Sequence, residues 1–232
     1  MPDTTPSSPL RFRGPHIGVV ATVSVGLFIA GLIPVTLSGG LPYFPGPAAP
    51  LSNVVSFFSH RQTGVLLCAF LQFGSAIPLG LFAVSISSQL LFLGVRAAGT
   101  NIAWYGGVVS AINIIISSCV LWTMTYPGIP QDAPLLHALY RLTFGLGGPG
   151  FSVPFALMAA GVSVTAAFYR LLPRWIIALG LFVAVCGVLS WFEILTVRAL
   201  PLIPLTRFPG FIWMISAGFA LPRTRTALRQ SE

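Results

Sequence analysis

Glu193 is an acidic residue inside a long apolar run, with Arg198 five positions later and Arg207 at the head of the next run. A carboxylate in apolar surroundings is costly unless a cation pairs with it. Pairing with Arg207, Arg198 or Arg141 is therefore expected. His137 and Arg141 are four apart, so a helix presents them on one side. Asp132 can cap that helix, Ala133 to Phe144, with Pro134 in its first turn. His60 and Arg61 stand at the start of another apolar run. Together His60, Arg61, His137, Arg141, Glu193 and Arg207 would form a net-positive polar vestibule able to hold an anionic or amphiphilic ligand. The competing reading is a buried structural ion pair, with arginines reaching toward lipid headgroups.

A second constellation is Gly145-Leu146-Gly147-Gly148-Pro149-Gly150, which matches the G-x-G-x-x-G spacing of a dinucleotide-binding loop. That chemistry needs a strand before the glycines and a helix after them. Both flanks here are apolar runs of helical length, and a proline lies within the motif. Glycine and proline interrupt helices, so the spacing predicts a helix break at Gly147, Gly148, Pro149 and Gly150, with Pro154 a second interruption. Broken helices at membrane depth occur where protein or a water-filled cavity satisfies the freed backbone, and in transporters they often form the substrate site. A helix–loop boundary followed by close packing is the plainer alternative.

Gly106, Ser110, Asn113 and Ser117 fall on one helix face. Asn113 must hydrogen-bond across helices, with Gln72 and Ser75 as expected partners. Interhelical contact is the first role expected of Gln72, Ser110, Asn113 and Ser117, and pocket lining the second.

Other chemistries are excluded. All 12 basic residues are arginine, which removes lysine Schiff-base chemistry and a Walker-A loop. Cys68, Cys119 and Cys186 are scattered through apolar runs without a C-x-x-C pair. A His60, His137 and Glu193 metal set lacks local ligand spacing, and no metal is expected. Facing histidine pairs for a haem are missing, as are G-x-S-x-G and H-E-x-x-H. No cofactor is expected.

The elements that must position these residues follow from composition. The 232-residue chain is 55% hydrophobic and 7% charged, whereas soluble domains carry roughly 25% charged residues. So few charges cannot cover a water-facing surface, which excludes a cytosolic enzyme, a nucleic-acid-binding domain and a disordered tail. The net charge of +8 then marks loops flanking a membrane rather than a nucleic-acid surface.

Six apolar runs suit a bilayer span, at about 17–37, 64–94, 102–126, 142–168, 175–196 and 208–221, between a polar tail at 1–15 and an Arg-rich tail at 222–232. The second run contains Pro78, a kink signal. The last run is roughly 21 Å long at 1.5 Å per residue, short for a core of about 30 Å. Gly18, Thr22, Gly26 and Ala30 offer a small-residue face for helix packing. Pro42, Pro45, Pro47 and Pro50 mark an irregular connection. Residues 51–62 are too polar to span, but Val54, Val55, Phe57 and Phe58 would give a helix lying on the membrane surface. The expected fold is an all-α six-transmembrane-helix bundle with a re-entrant or broken fourth helix and a short interfacial helix. Arg11, Arg13, Arg96, Arg170, Arg174, Arg223, Arg225 and Arg229 fall on one side, against Arg61, Arg141, Arg198 and Arg207 on the other. That bias places both termini in the cytoplasm.

Three segments, Gly147-Gly148-Pro149-Gly150-Phe151, Leu172-Pro173-Arg174-Trp175 and Arg207-Phe208-Pro209-Gly210-Phe211-Ile212-Trp213, resemble a family of uncharacterised multi-pass membrane proteins of actinobacteria and related GC-rich bacteria. The likeness covers Leu135 to Arg223. It implies a bacterial inner-membrane protein and supplies no activity or catalytic residue. The function expected is non-enzymatic: binding or passing a small amphiphilic or anionic ligand, or serving as a subunit of a membrane assembly. The partners would be the lipid bilayer, that ligand and other membrane subunits, with no nucleic acid. The alternative is an intramembrane enzyme acting on a lipid or isoprenoid, with Glu193 as acid and His60 or His137 as base.

Overall fold

A computed structural model of the chain describes residues 10–36 and 44–225. The rest of both expected tails, the end of the first expected span and Pro42 lie outside the described residues. The chain forms α1 (Ile17–Thr36), α2 (Leu51–His60), α3 (Gln62–Phe92), α4 (Ala98–Thr123), α5 (Ala133–Gly147), α6 (Pro149–Phe168), α7 (Arg174–Leu189) and α8 (Leu202–Ala220). Two short 3-10 turns, Ser190–Ile194 and Val197–Ala199, link α7 to α8. Six stretches are long and apolar enough to cross a membrane, and α5 with α6 counts as one of them. The protein is thus an all-α helical bundle of the multi-pass membrane type.

The fourth crossing is broken where glycine and proline stand. α5 stops at Gly147, Gly148 leaves the helical path at φ −84° and ψ −104°, and Pro149 opens α6. The cause is local. Pro149 has no N–H for the carbonyl of Gly145, and Pro154 has none for the carbonyl of Gly150. The short helix expected over Ala133 to Phe144 runs directly into this crossing as α5. Asp132 caps it, its Oδ1 accepting from the Leu135 N–H at 3.1 Å.

Close helix crossings surround α6. A methyl group on Gly106 would stand 2.7 Å from the Met158 backbone nitrogen, and one on Gly161 would stand 2.8 Å from that of Ala103. Bare backbone therefore lets α4 and α6 approach closely. The small-residue face expected on α1 packs only at Gly18, which is buried where a methyl on Gly218 of α8 would stand 2.9 Å from its Cα. Thr22 and Gly26 are exposed, and a methyl on Gly26 would meet nothing within 4 Å. Instead Ala21, Ser24, Phe28, Gly31 and Val35 are buried, and Ser24 donates to the Ser75 carbonyl on α3 at 2.8 Å.

Two further expectations change. α8 begins six residues before the expected start at Phe208, taking in Thr206 and Arg207, the neighbours that so short a run would have to borrow to span, so Arg207 lies inside the helix rather than at its edge. The charge no longer ends the span because the protein itself supplies its partners. The apolar side of α2 is covered by protein rather than lying on lipid: Val54, Phe57 and Phe58 are buried and pack with Phe44, Leu136 and Tyr140.

The chain ends meet at one end of the bundle. Leu10–Arg11 (β1) pairs antiparallel with Thr224–Arg225 (β2), Arg223 donates to the Gly14 carbonyl at 2.9 Å, and the Gln89 amide donates to the carbonyls of Leu221 and Pro222. The opposite end, here called distal, carries the helix break.

Candidate functional site, a cavity at the helix break

At the distal end, α1, α3, α4, α5 and α8 line a partly open cavity of about 230 Å³. Its walls are mainly apolar: Leu32 and Val35 from α1, Leu121 from α4, Phe144 from α5 and Ile203 from α8. The polar residues on the lining are Gln72, Thr143, Tyr140, Thr36 and Arg207, beside Gly147 and Gly148 of the break. The helix break thus lines a cavity.

Arg207 sits five residues beyond the first residue of α8, about 7.5 Å along the helix axis. One guanidinium nitrogen, Nη2, donates to the Gly147 carbonyl. That carbonyl is at the C-terminus of α5, where a helix leaves acceptors unpaired and its dipole favours a cation. The flat guanidinium also lies 5.0 Å from the ring centre of Phe28 and 4.8 Å from that of Phe151. Those ring faces attract the cation where water is scarce. Nε is buried without a hydrogen-bond partner, as is the Thr143 hydroxyl. No carboxylate is paired with Arg207 among the described residues.

The polar face of α4 holds the break in place. Asn113 donates to the Gly150 carbonyl at 2.6 Å, and Ser117 donates to the Thr143 carbonyl at 3.0 Å. Ser110 donates to the Gly106 carbonyl at 2.7 Å and reaches the Phe151 carbonyl at 3.4 Å. Asn113 therefore supplies to Gly150 the donor that Pro154 lacks. Gln72 and Ser75 are not its partners. Ser75 bonds the Gln72 carbonyl on its own helix at 2.7 Å, and Gln72 lines the cavity. The reason is register: the face of α4 bearing Asn113 turns to the α5–α6 junction.

The other expected ligand-binding residues separate. Glu193 is half-buried in the 3-10 turn after α7, and Arg141 is the cation acting on it through space. Arg198 is exposed. His60 is exposed, its Nδ1 2.8 Å from the Ser56 carbonyl. His60 and Arg61 line a different hollow with Pro34, Gln62, Thr63 and Gly64, and Arg61 lies over the Phe57 ring at 5.9 Å. His137 is half-buried on α5. Arg207 alone of the six lines the cavity at the break.

Sequence reasoning missed four residues at the cavity or around Arg207. Phe28 and Phe151 provide the cation's surfaces, Thr143 adds an unpaired hydroxyl, and Tyr140 donates its hydroxyl to the Pro45 carbonyl. The available signal was the break itself, since a helix C-terminus at depth requires a donor and Arg207 is a nearby cation in the chain's polar inventory. Compared with protein-family models, curated proteins and solved structures, the chain matches none of them.

Proposed function

We propose that this protein is a bacterial inner-membrane protein that binds, or passes across the bilayer, a small anionic amphiphile held at Arg207. The observation that carries the reading is a guanidinium without a carboxylate partner, with a buried unused Nε–H, in a largely apolar cavity. Charges within membrane segments are expensive and mark ligand pathways by default. The arginine bias favours cytoplasmic termini, which would open the distal end to the outside. A bacterial inner-membrane setting follows from the resemblance of the Gly-Pro and Arg-Phe-Pro-Gly segments.

The test is thermal unfolding of the purified chain in zwitterionic nanodiscs against a panel of anionic, cationic and neutral amphiphiles. Anionic members should raise the unfolding temperature of the native protein and leave Arg207→Met unmoved. If none of the anions acts, or if they act equally on both, the reading is wrong. An enzyme pairing Glu193 with His60 draws no support from the arrangement, because His60 is held by Ser56 at a hollow that Glu193 does not line.

A further inference from the structure

We infer that the ligand head is a monocarboxylate and that its tail is short; this rests on the reading of the Arg207 cavity as an anion site. Charge decides the head first. Arg207 is the one charged side chain among the described residues lining the cavity. A monoanion neutralises it, whereas a phosphate-ester dianion would leave a net negative charge buried in apolar surroundings.

Hydrogen-bond supply decides next. One of the guanidinium's five N–H groups is spent on Gly147, and the buried Nε–H is without a partner. The Gln72 amide lines the same space, and the Thr143 hydroxyl is buried there without a partner. The planar guanidinium matches carboxylate and phosphate alike, so the single charge of the lining, not the fork geometry, is what favours the carboxylate. The two carboxylate oxygens, with about four acceptor sites between them, can accept from the guanidinium, the Gln72 amide and the Thr143 hydroxyl. A trimethylammonium or ammonium head would bring a second cation beside Arg207 and is excluded.

Volume sets the tail. A water molecule occupies about 30 Å³ of liquid, so 230 Å³ holds roughly eight groups of that size. A carboxylate takes two or three of them. About five carbons remain, and Leu32, Val35, Leu121 and Phe144 are the surfaces they would meet.

Binding of hexanoate, hexyl phosphate, hexyl sulfonate, hexanol and hexylamine to the full chain in phosphatidylcholine nanodiscs, by calorimetry at pH 8, tests this. Hexanoate should bind at least about tenfold tighter than hexyl phosphate or hexyl sulfonate, with no binding of hexanol or hexylamine. Across butanoate to dodecanoate, affinity should peak near hexanoate. Arg207→Met should abolish hexanoate binding, and Thr143→Val, which keeps side-chain shape, should weaken it about fivefold even if the arginine variant fails to fold. If hexyl phosphate or the sulfonate binds as tightly as hexanoate, or if affinity climbs steadily to dodecanoate, the monocarboxylate inference falls and the anion site stands. If no anion binds, or if hexanoate binding ignores both substitutions, inference and site fall together.

Discussion

Asn113 offers the sharpest test of how the break is held. In an unbroken helix the Gly150 carbonyl would accept from residue 154, but Pro154 has no N–H. The Asn113 amide fills that vacancy at 2.6 Å. Removing it in Asn113→Ala leaves an inward carbonyl without a donor. An unsatisfied buried group costs about 1–3 kcal/mol, and hydrogen bonds between membrane helices average about 0.6 kcal/mol with a maximum near 1.7. The expected loss is therefore about 1–2 kcal/mol. Reversible unfolding in mixed detergent micelles reads it directly.

The decisive measurement is a double-mutant cycle with Pro154→Ala. Alanine at 154 restores an N–H able to reach Gly150, so the cost of Asn113→Ala should shrink by about 1 kcal/mol in that background. Distant independent sites add within about 0.3–0.5 kcal/mol. A coupling no larger than that, or an Asn113→Ala protein as stable as the native one, would refute the reasoning.

Three further outcomes follow. Burying the Arg207 charge costs about 2.5–3.5 kcal/mol on insertion scales, and this is offset by a charge-assisted hydrogen bond of about 1.5–3 kcal/mol and two ring faces of about 0.5–2 kcal/mol each. Arg207→Met should consequently change stability by less than about 5 kcal/mol by denaturant titration, and complete unfolding would make the arginine a structural pin. Gly106→Ala should lose about 1–3 kcal/mol by overpacking against Met158, while Gly26→Ala, with open space around it, should gain up to about 1 kcal/mol of helix propensity; equal melting temperatures would contradict the crossing described. Arg11 and Thr224 are opposed in the paired chain ends, so Arg11→Cys with Thr224→Cys should cross-link within one chain under mild oxidant, and failure to do so would disprove that register.

Much of the frame was legible in the letters because bilayer crossing is a property of single segments. Twenty apolar residues announce a span wherever their neighbours go, and Pro149 with its glycines cannot propagate a helix in any fold. The cap of Asp132 on α5 was equally local. Two of the misplaced readings concerned faces. Gly18, Thr22, Gly26 and Ala30 looked like a packing stripe on α1, yet in a chain so uniformly apolar the rotation of a helix is set by its neighbours. Val54, Phe57 and Phe58 were recognisably amphipathic, but whether lipid or Tyr140 covers them is a tertiary matter.

The same division runs through the site. The sequence by itself determined that the protein is a multi-pass helical bundle, that its fourth crossing breaks at Gly148, and that Asn113 needs a partner across helices. Tertiary structure decided which partner: the Gly150 carbonyl, because α4 turns that face to the junction. It also drew Arg207 inside α8, away from Glu193, and set it between Phe28 and Phe151 against the end of α5. The physical reason is that charge partners are chosen by distance in space. In a chain with 4 acidic residues against 12 arginines, carbonyls and aromatic faces had to serve where carboxylates were too few.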